Sequence, residues 1–167
     1  MIRLKEDFFQ RDVLLVAPEL PGKLLVVGNR SAVITEVEAY RGEEDLACHA
    51  SKGRTSRTEI MYHEGGHVYI YLIYGMYWML NFVTEQSGNP QAVLIRGIEG
   101  YEGPGKLTRY LAIDRSFYGE NLCTSQRICV TDTGIQPDIK TRTRIGIEYA
   151  GKPWTEKPWR YLLYKGK

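Results

Sequence analysis

The sequence predicts an α+β fold, a single compact domain with a curved, mainly antiparallel β-sheet, flanking helices and a protruding β-hairpin. Three observations predict it. At least five segments rich in β-branched and aromatic residues alternate in character or run apolar at strand length. Two or three others carry the caps or proline starts of helices. The chain of 167 residues is long enough for one core, and no repeat, linker or low-complexity tract divides it, so residues 1–167 are expected to form one domain.

Taken in order, "EDFFQRDVLLVAPEL" (Glu6 to Leu20) predicts a helix, with Asp12 capping the run that begins at Val13. "PGKLLVVGNRSAVITEVEAY" predicts two strands around a Gly28-Asn29-Arg30-Ser31 turn. In the second strand, alternation places Val33, Thr35, Val37 and Ala39 on one face, and Ile34, Glu36, Glu38 and Tyr40 on the other. "GEEDLACHASKGRTSRTE" predicts a long polar loop with a helical turn near Asp45, and ordered loops of that length tend to carry function. "HVYIYLIYGMYWMLNFVTE" and "QAVLIRGIEG" predict three strands, and "GPGKLTRYLAI" a helix. "RICVTD" predicts a further strand; "IKTRTRIGIEYAG" and "WRYLLYKG" predict two closing strands across a turn rich in Pro and Lys.

Apolar residues make up 43% and charged residues 25%, the proportions of a water-soluble globular protein. The net charge of +2 is unevenly spread. Residues 1–100 hold ten Lys and Arg against thirteen Asp and Glu, whereas residues 101–167 hold twelve against seven. A basic half suits a polyanionic partner or simply a solvated surface. Cys48, Cys123 and Cys129 are an odd number without a C-x-x-C pair, which fits free thiols in a reducing compartment. The first ten residues lack the apolar stretch of a secretion signal, so a cytoplasmic rather than secreted protein is expected. The apolar run from Val68 to Val83 is too short to span a bilayer, and no membrane association is expected.

Two motifs tempt and fail. "HEGGH" (His63 to His67) satisfies the H-E-x-x-H pattern of zinc proteases, but that pattern needs a helix. Gly65 and Gly66 each disfavour a helix by about 1 kcal/mol, so a turn entering a strand is expected and no metal. "GYEGPGKL" (Gly100 to Leu107) has the glycines and lysine of a phosphate loop, with Leu107 where a magnesium-binding hydroxyl would stand. Gly103, Gly105 and Lys106 could still admit an anion, or merely begin a helix.

The more informative pattern combines a carboxylate strand with an aromatic hairpin. Glu36, Glu38 and Tyr40 project together, and a carboxylate beside an aromatic face is what water activation at a stacked substrate requires. Gly75 permits a bend, making Tyr74-Gly75-Met76-Tyr77 an exposed apolar tip suited to entering between base pairs. Behind the tip, Tyr71 and Asn81 lie close across the ladder, and an asparagine in so apolar a run needs a polar partner such as a base edge.

These segments together resemble the alkyladenine (3-methyladenine) DNA glycosylase family, the type without helix-hairpin-helix motifs. "EVEAYRGEEDLACHA" is similar to its E-x-E-A-Y-x-G-x-x-D-x-A-x-H block, and "YIYLIYGMYWMLN" to its Y-x-Y-x-x-Y-G-M-Y-x-x-x-N block. "AVLIRGIE", "GPGKL" and "TRIGIEYAG" follow in the family's order, while "TSRTEIMY" departs from its usual T-P-R-N. The resemblance implies a monofunctional enzyme that flips damaged purines out of double-stranded DNA and hydrolyses the N-glycosidic bond. It implies that Glu38 activates water, with Arg96 and the main-chain carbonyl of Ile145 holding it. Tyr40, His49 and Tyr71 would frame the base, Asn81 would refuse the 2-amino group of guanine, and Tyr74, Met76 and Tyr77 would enter the duplex. Arg54, Arg57, Lys106 and Arg144 are the candidates for DNA-backbone contacts. A monomer without cofactor, working wherever the genomic DNA resides, is expected. The alternative is a non-catalytic binder of damaged DNA, which would have no use for Glu38.

Overall fold

The computed structural model describes residues 1–164 and contains one curled sheet of ten antiparallel strands with short helices against it. In chain order these are β1 (Ile2–Arg3), α1 (Glu6–Phe9), α2 (Val13–Glu19), β2 (Leu24–Val27), β3 (Arg30–Arg41), β4 (Val68–Ile73), β5 (Tyr77–Thr84), β6 (Gln91–Ile98), β7 (Tyr101–Glu102), α3 (Pro104–Tyr110), β8 (Ile128–Asp132), β9 (Ile139–Arg142) and β10 (Arg160–Leu163). The main path runs β1-β8-β2-β3-β6-β5-β4, with β10 added to β3, β9 to β10 and β7 to β6.

Strand β3 is the hub. One edge pairs first with β2 (Val33 opposite Leu24) and then with β10 (Glu38 opposite Arg160), while the other pairs with β6 along Ile34 to Arg41. The ladder slips between Ile34 and Glu36 and again between Glu36 and Val37. This irregularity changes the phase of the strand. Ile34 joins Val37 and Ala39 in the main core instead of sharing a face with Glu38 and Tyr40, as simple alternation predicts. Gly97 accommodates the crossing: a Cβ there would lie 2.9 Å from Thr35 Oγ1 and 3.3 Å from Glu36 Cβ.

The two faces of β4, β5 and β6 then part company. Val68, Ile70, Leu80, Phe82, Val93 and Ile95 face the helices and form one core with Phe9, Val13, Val16, Leu107 and Leu111. Tyr69, Tyr71, Met79, Asn81, Leu94 and Arg96 alternate with them and line a cavity on the opposite face.

Other departures from the expected elements have local causes. The helix expected over Glu6 to Leu20 is two helices, because the Asp12 side chain accepts a hydrogen bond from Leu14 N (2.9 Å) and starts a second one. Asp12 also pairs with Arg41, tying this cap to the end of β3. The closing strand expected through "TRIGIEYAG" stops at Arg142, and the chain folds over the cavity, with a 3-10 turn at Glu148–Ala150. The last strand covers Arg160–Leu163; Lys165 and Gly166 of its expected span lie outside the described residues. The segment from His63 to His67 is a turn entering β4, as its glycines predict. A Cβ on Gly65 would lie 2.4 Å from the Phe9 carbonyl oxygen, so only glycine fits.

Candidate active site

The cavity holds about 400 Å³, within the range of small-molecule sites. The sheet supplies its floor through alternate residues of β3 to β6. Its walls come from two irregular segments, one around Ala47–His49 and the other from Ile145 to Tyr149. Tyr149 bridges these walls by donating its hydroxyl to the Ala47 carbonyl at 2.8 Å. Tyr40, His49, Tyr71, Asn81, Arg96 and Ile145, six of the expected site residues, all line this one space.

Glu38 lies directly behind that lining and is fully buried. The Tyr40 hydroxyl donates to its Oε1 (2.7 Å) and the Ile145 main-chain N–H donates to its Oε2 (2.7 Å). Arg96 Nη1 stands 3.7 Å from Oε1, and Arg96 Nε, 3.4 Å from Glu36 Oε2, is buried without a hydrogen-bond partner among the described residues. Glu36 is held from its other side by Arg160 at 3.0 Å. Burial pushes the Glu38 carboxyl above its ordinary range, with Arg96, the Ile145 amide and Tyr40 pulling partly the other way. Tyr40 is pushed up in turn, first by its own burial and then by the Glu38 charge.

His49 is the polar group on the facing wall. Its Nδ1 lies 2.9 Å from the Tyr69 hydroxyl, and its ring packs edge-on against Tyr71 with centroids 4.4 Å apart. Burial and the nearby Arg57 and Lys52 charges lower its pKa to about 4, so it is a neutral imidazole at pH 7. Asn81 is buried and donates from Nδ2 to the carbonyls of Tyr69 and Met79, each at 3.3 Å. Those two bonds hold the amide against the cavity wall. Tyr69 and Tyr149 received no role from the sequence. For Tyr69 the signal was present, since it shares the alternating face of Tyr71; for Tyr149, in a segment read as strand, there was none.

At the hairpin, Tyr74 is 86% exposed and adopts φ +52°, followed by Gly75 at φ +65°. A bulky residue held left-handed without packing is strained by about 1–3 kcal/mol. Met76, at 58% exposure, shares the tip. Tyr77 does not, which corrects the expected four-residue wedge. It is a paired residue of β5, opposite Ile73, and its ring lies against α3. A Cβ on Gly105 would come within 2.6 Å of that ring, so the glycine makes room for Tyr77 rather than for an anion.

The four basic candidates separate clearly. Arg57 and Lys106 are exposed, with Arg57 lying 5.2 Å from the centre of the Tyr71 ring. Arg54 is bound by Glu59 through two hydrogen bonds of 2.6 and 2.7 Å. Arg144 is a correction. Its side chain is fully buried, bound to both oxygens of Asp45 (2.6 and 3.0 Å) and to the Ala39 carbonyl, and it lies over the Tyr40 and Trp159 rings. It cannot reach a phosphate; it fixes the backbone that presents Ile145 and the ring that covers Glu38.

Comparison with known proteins gives the family. The family model described as methylpurine-DNA glycosylase (MPG) matches residues 7–102 and 99–167. A protein of Rickettsia felis is 46% identical over 98% of this chain and 94% of its own length. Proteins of Sodalis glossinidius (46% identical, 95% of each chain) and Wolbachia pipientis (45%, covering 95% of this chain and 89% of its own) are comparably similar. All three carry the name of a 3-methyladenine DNA glycosylase. With nearly the whole chain matched, this protein belongs to the methylpurine-DNA glycosylase family, whose class of reaction is hydrolysis of an N-glycosyl bond.

Proposed function

We propose that this protein extrudes an alkylated or deaminated purine from double-stranded DNA and hydrolyses its glycosidic bond with a water activated by Glu38. The carrying observation is the placement of Glu38, a fully buried carboxylate held by two donors immediately behind an aromatic cavity. Burying a carboxylate is unfavourable and needs a compensating role. Here that role is to take a proton from water and to face the positive charge that develops on the sugar.

The sugar carbon is out of reach in a stacked duplex, so the nucleotide must leave the helix. Tyr40 and Tyr71 offer ring faces to the flipped base, and a base alkylated at N3 or N7 is a cation that such faces favour. Neutral His49 adds no like charge. With Nδ1 engaged by Tyr69, its Nε2 is left for the edge of the base. Asn81 excludes the 2-amino group of guanine by filling the space it would need. Arg96, with an unpartnered buried Nε and with Nη1 beyond direct hydrogen-bond reach of Glu38, is suited to share a water with that carboxylate, and the Ile145 carbonyl is its third partner. Tyr74 and Met76 occupy the gap left in the duplex. No lysine lines the cavity among the described residues, so the product is an intact abasic site rather than a broken strand. The protein acts as a monomer, without cofactor, in the compartment that holds the genome.

The test is incubation with duplexes carrying 3-methyladenine, 7-methylguanine, hypoxanthine or ethenoadenine at one position, followed by alkali. Cleavage at the lesion after alkali, and none before it, is expected for at least one of them. No release from any, or breakage without alkali, would overturn the proposal.

A further inference from the structure

Arg96 stands at a break in the ladder between β3 and β6. Glu36 pairs with Gly97 and Val37 with Ile95, so Arg96 is the extra residue of β6 between them. A bulge of this kind re-aims the side chain it carries. Here the guanidinium lies between two carboxylates of β3, with Nε 3.4 Å from Glu36 Oε2 and Nη1 3.7 Å from Glu38 Oε1. Neither contact is a direct hydrogen bond.

Glu36 is itself shared. The same Oε2 accepts from Arg160 Nη1 at 3.0 Å, and Arg160 Nε donates to the Thr143 carbonyl at 2.7 Å. Thr143 lies two residues before Ile145, so one carboxylate is tied both to Arg96 and to the segment that presents Ile145. Glu36 does not line the cavity. The side chains of Glu36, Arg96 and Arg160 are 18%, 17% and 17% exposed, so solvent screens their charges weakly.

The row Arg160, Glu36, Arg96, Glu38 therefore alternates in sign. Without Glu36, Arg96 would face one acid of β3, the buried Glu38, with nothing to hold it 3.7 Å away. Closing that gap would make a direct ion pair in a site of low dielectric. It would occupy the Oε1 lone pair needed to take a proton, and it would take the place of a water shared by the two groups.

We propose that Glu36 is a positioning residue of the reaction, holding Arg96 off Glu38 so that both reach the same water. The proposal rests on the reading of Glu38 as the base. The groups that face Glu38 are Glu36 and Tyr40 of β3, Arg96 of β6, Tyr71 of β4, Arg160 of β10, and Arg144 and Tyr149 of the segment after β9. Of the cations among them, Arg144 is taken up by Asp45, so loss of Glu36 reaches Glu38 through Arg96.

The test follows single-turnover base release from a lesion duplex against pH, at saturating enzyme, and titration of the Glu38 carboxyl by carbon NMR in the free protein. Glu36→Gln keeps the shape and removes the charge. It is expected to move the midpoint of release to lower pH by about one unit, because Arg96 then favours the charged carboxylate more strongly. A weaker base and a displaced water should lower the plateau about tenfold, with duplex affinity unchanged. The Glu38 carboxyl should titrate lower by the same amount. Arg160→Gln should move both midpoints upward, because Glu36 then draws on Arg96 alone. Loss of packing would not move the two variants in opposite directions. Glu19→Gln, which removes the acid of the Arg11 pair outside the cavity lining, is the control and should move neither midpoint.

A slower Glu36→Gln with its midpoint in place would make Glu36 merely structural and overturn the proposal, as would midpoints moving the same way in both variants. Should Glu36→Gln not fold, Arg160→Gln decides alone, and an unmoved or lowered midpoint overturns it. If wild-type protein released no base, the glycosylase reading would fail, while a lowered Glu38 titration in Glu36→Gln would still uphold the hold on Arg96.

Discussion

The two faces of β4–β6 are made from the same strands in alternate residues, yet they are built for opposite ends. Toward the helices stand Val68, Ile70, Leu80, Phe82, Val93 and Ile95, which need nothing but one another. Toward the cavity stand Tyr69, Tyr71, Asn81 and Arg96, with Glu38 of β3 beside them, each needing a partner that the fold supplies only in part. The helix face gains stability from buried area, at about 25 cal/mol per Å². The cavity face gives some of it up, in a buried carboxylate, a buried unpartnered Nε and a strained tyrosine at the tip. The contrast teaches that function here is located where the alternation is kept but the residue types stop serving the core.

Breaking the helix face should act on stability alone. Phe82→Ala removes a fully buried ring packed edge-on against Phe9 (centroids 6.2 Å apart) and should cost about 3–5 kcal/mol in urea unfolding. Residual folded protein should keep wild-type base release per molecule. Arg144→Ala sharpens the boundary between faces, because it leaves Asp45 buried and unpaired. A loss of about 3–5 kcal/mol is expected, accompanied by slower base release as Ile145 and Tyr40 lose their support. Unchanged release in folded Arg144→Ala would separate that ion pair from the site.

On the cavity face, Asn81→Ser should raise excision of normal guanine at least tenfold in a duplex assay while costing little stability. If guanine stays excluded, another group sets that discrimination. The smallest effect on the fold belongs to the tip. Tyr74→Gly relieves a left-handed tyrosine and should leave the protein as stable or more so, by about 1 kcal/mol. It should nevertheless weaken binding of lesion duplex more than of undamaged duplex. Equal losses would argue against a wedge.

Much of this was legible in the sequence because periodicity fixes which residues share a face. "VYIYLIYGMYWMLNF" gave both arms of the hairpin and placed Tyr71 with Tyr69. The expected site residues Glu38, Tyr40, His49, Tyr71, Asn81, Arg96 and Ile145 converge although they come from six separate segments. What alternation could not show were events that interrupt it. The slip around Thr35 moved Ile34 into the core, and the Asp12 cap split a helix. Burial of charge was also hidden, since nothing local distinguishes Arg144, clamped by an aspartate 99 positions away, from the exposed Arg57. Tyr77 looked like part of the tip until its ring was seen to lie against Gly105.

The titrations of the two polar groups run in opposite senses. Glu38, with its pKa raised by burial, favours the folded state when protonated; that contribution is full below the ordinary carboxyl value of 4.5 and is lost as pH rises through the raised value. His49, lowered to about 4, favours the folded state when neutral, and its contribution fades as pH falls from 6.5 toward 4. Base release should therefore rise with pH through the Glu38 titration and show no inflection from His49 near 6.5. The most direct measurement is single-turnover release from a lesion duplex by Glu38→Gln across pH, alongside its binding affinity. The expected result is release slowed by about a hundredfold or more, with the pH dependence gone and affinity for the lesion duplex retained. Release at the wild-type rate with the same pH profile would contradict the assignment of Glu38 as the base.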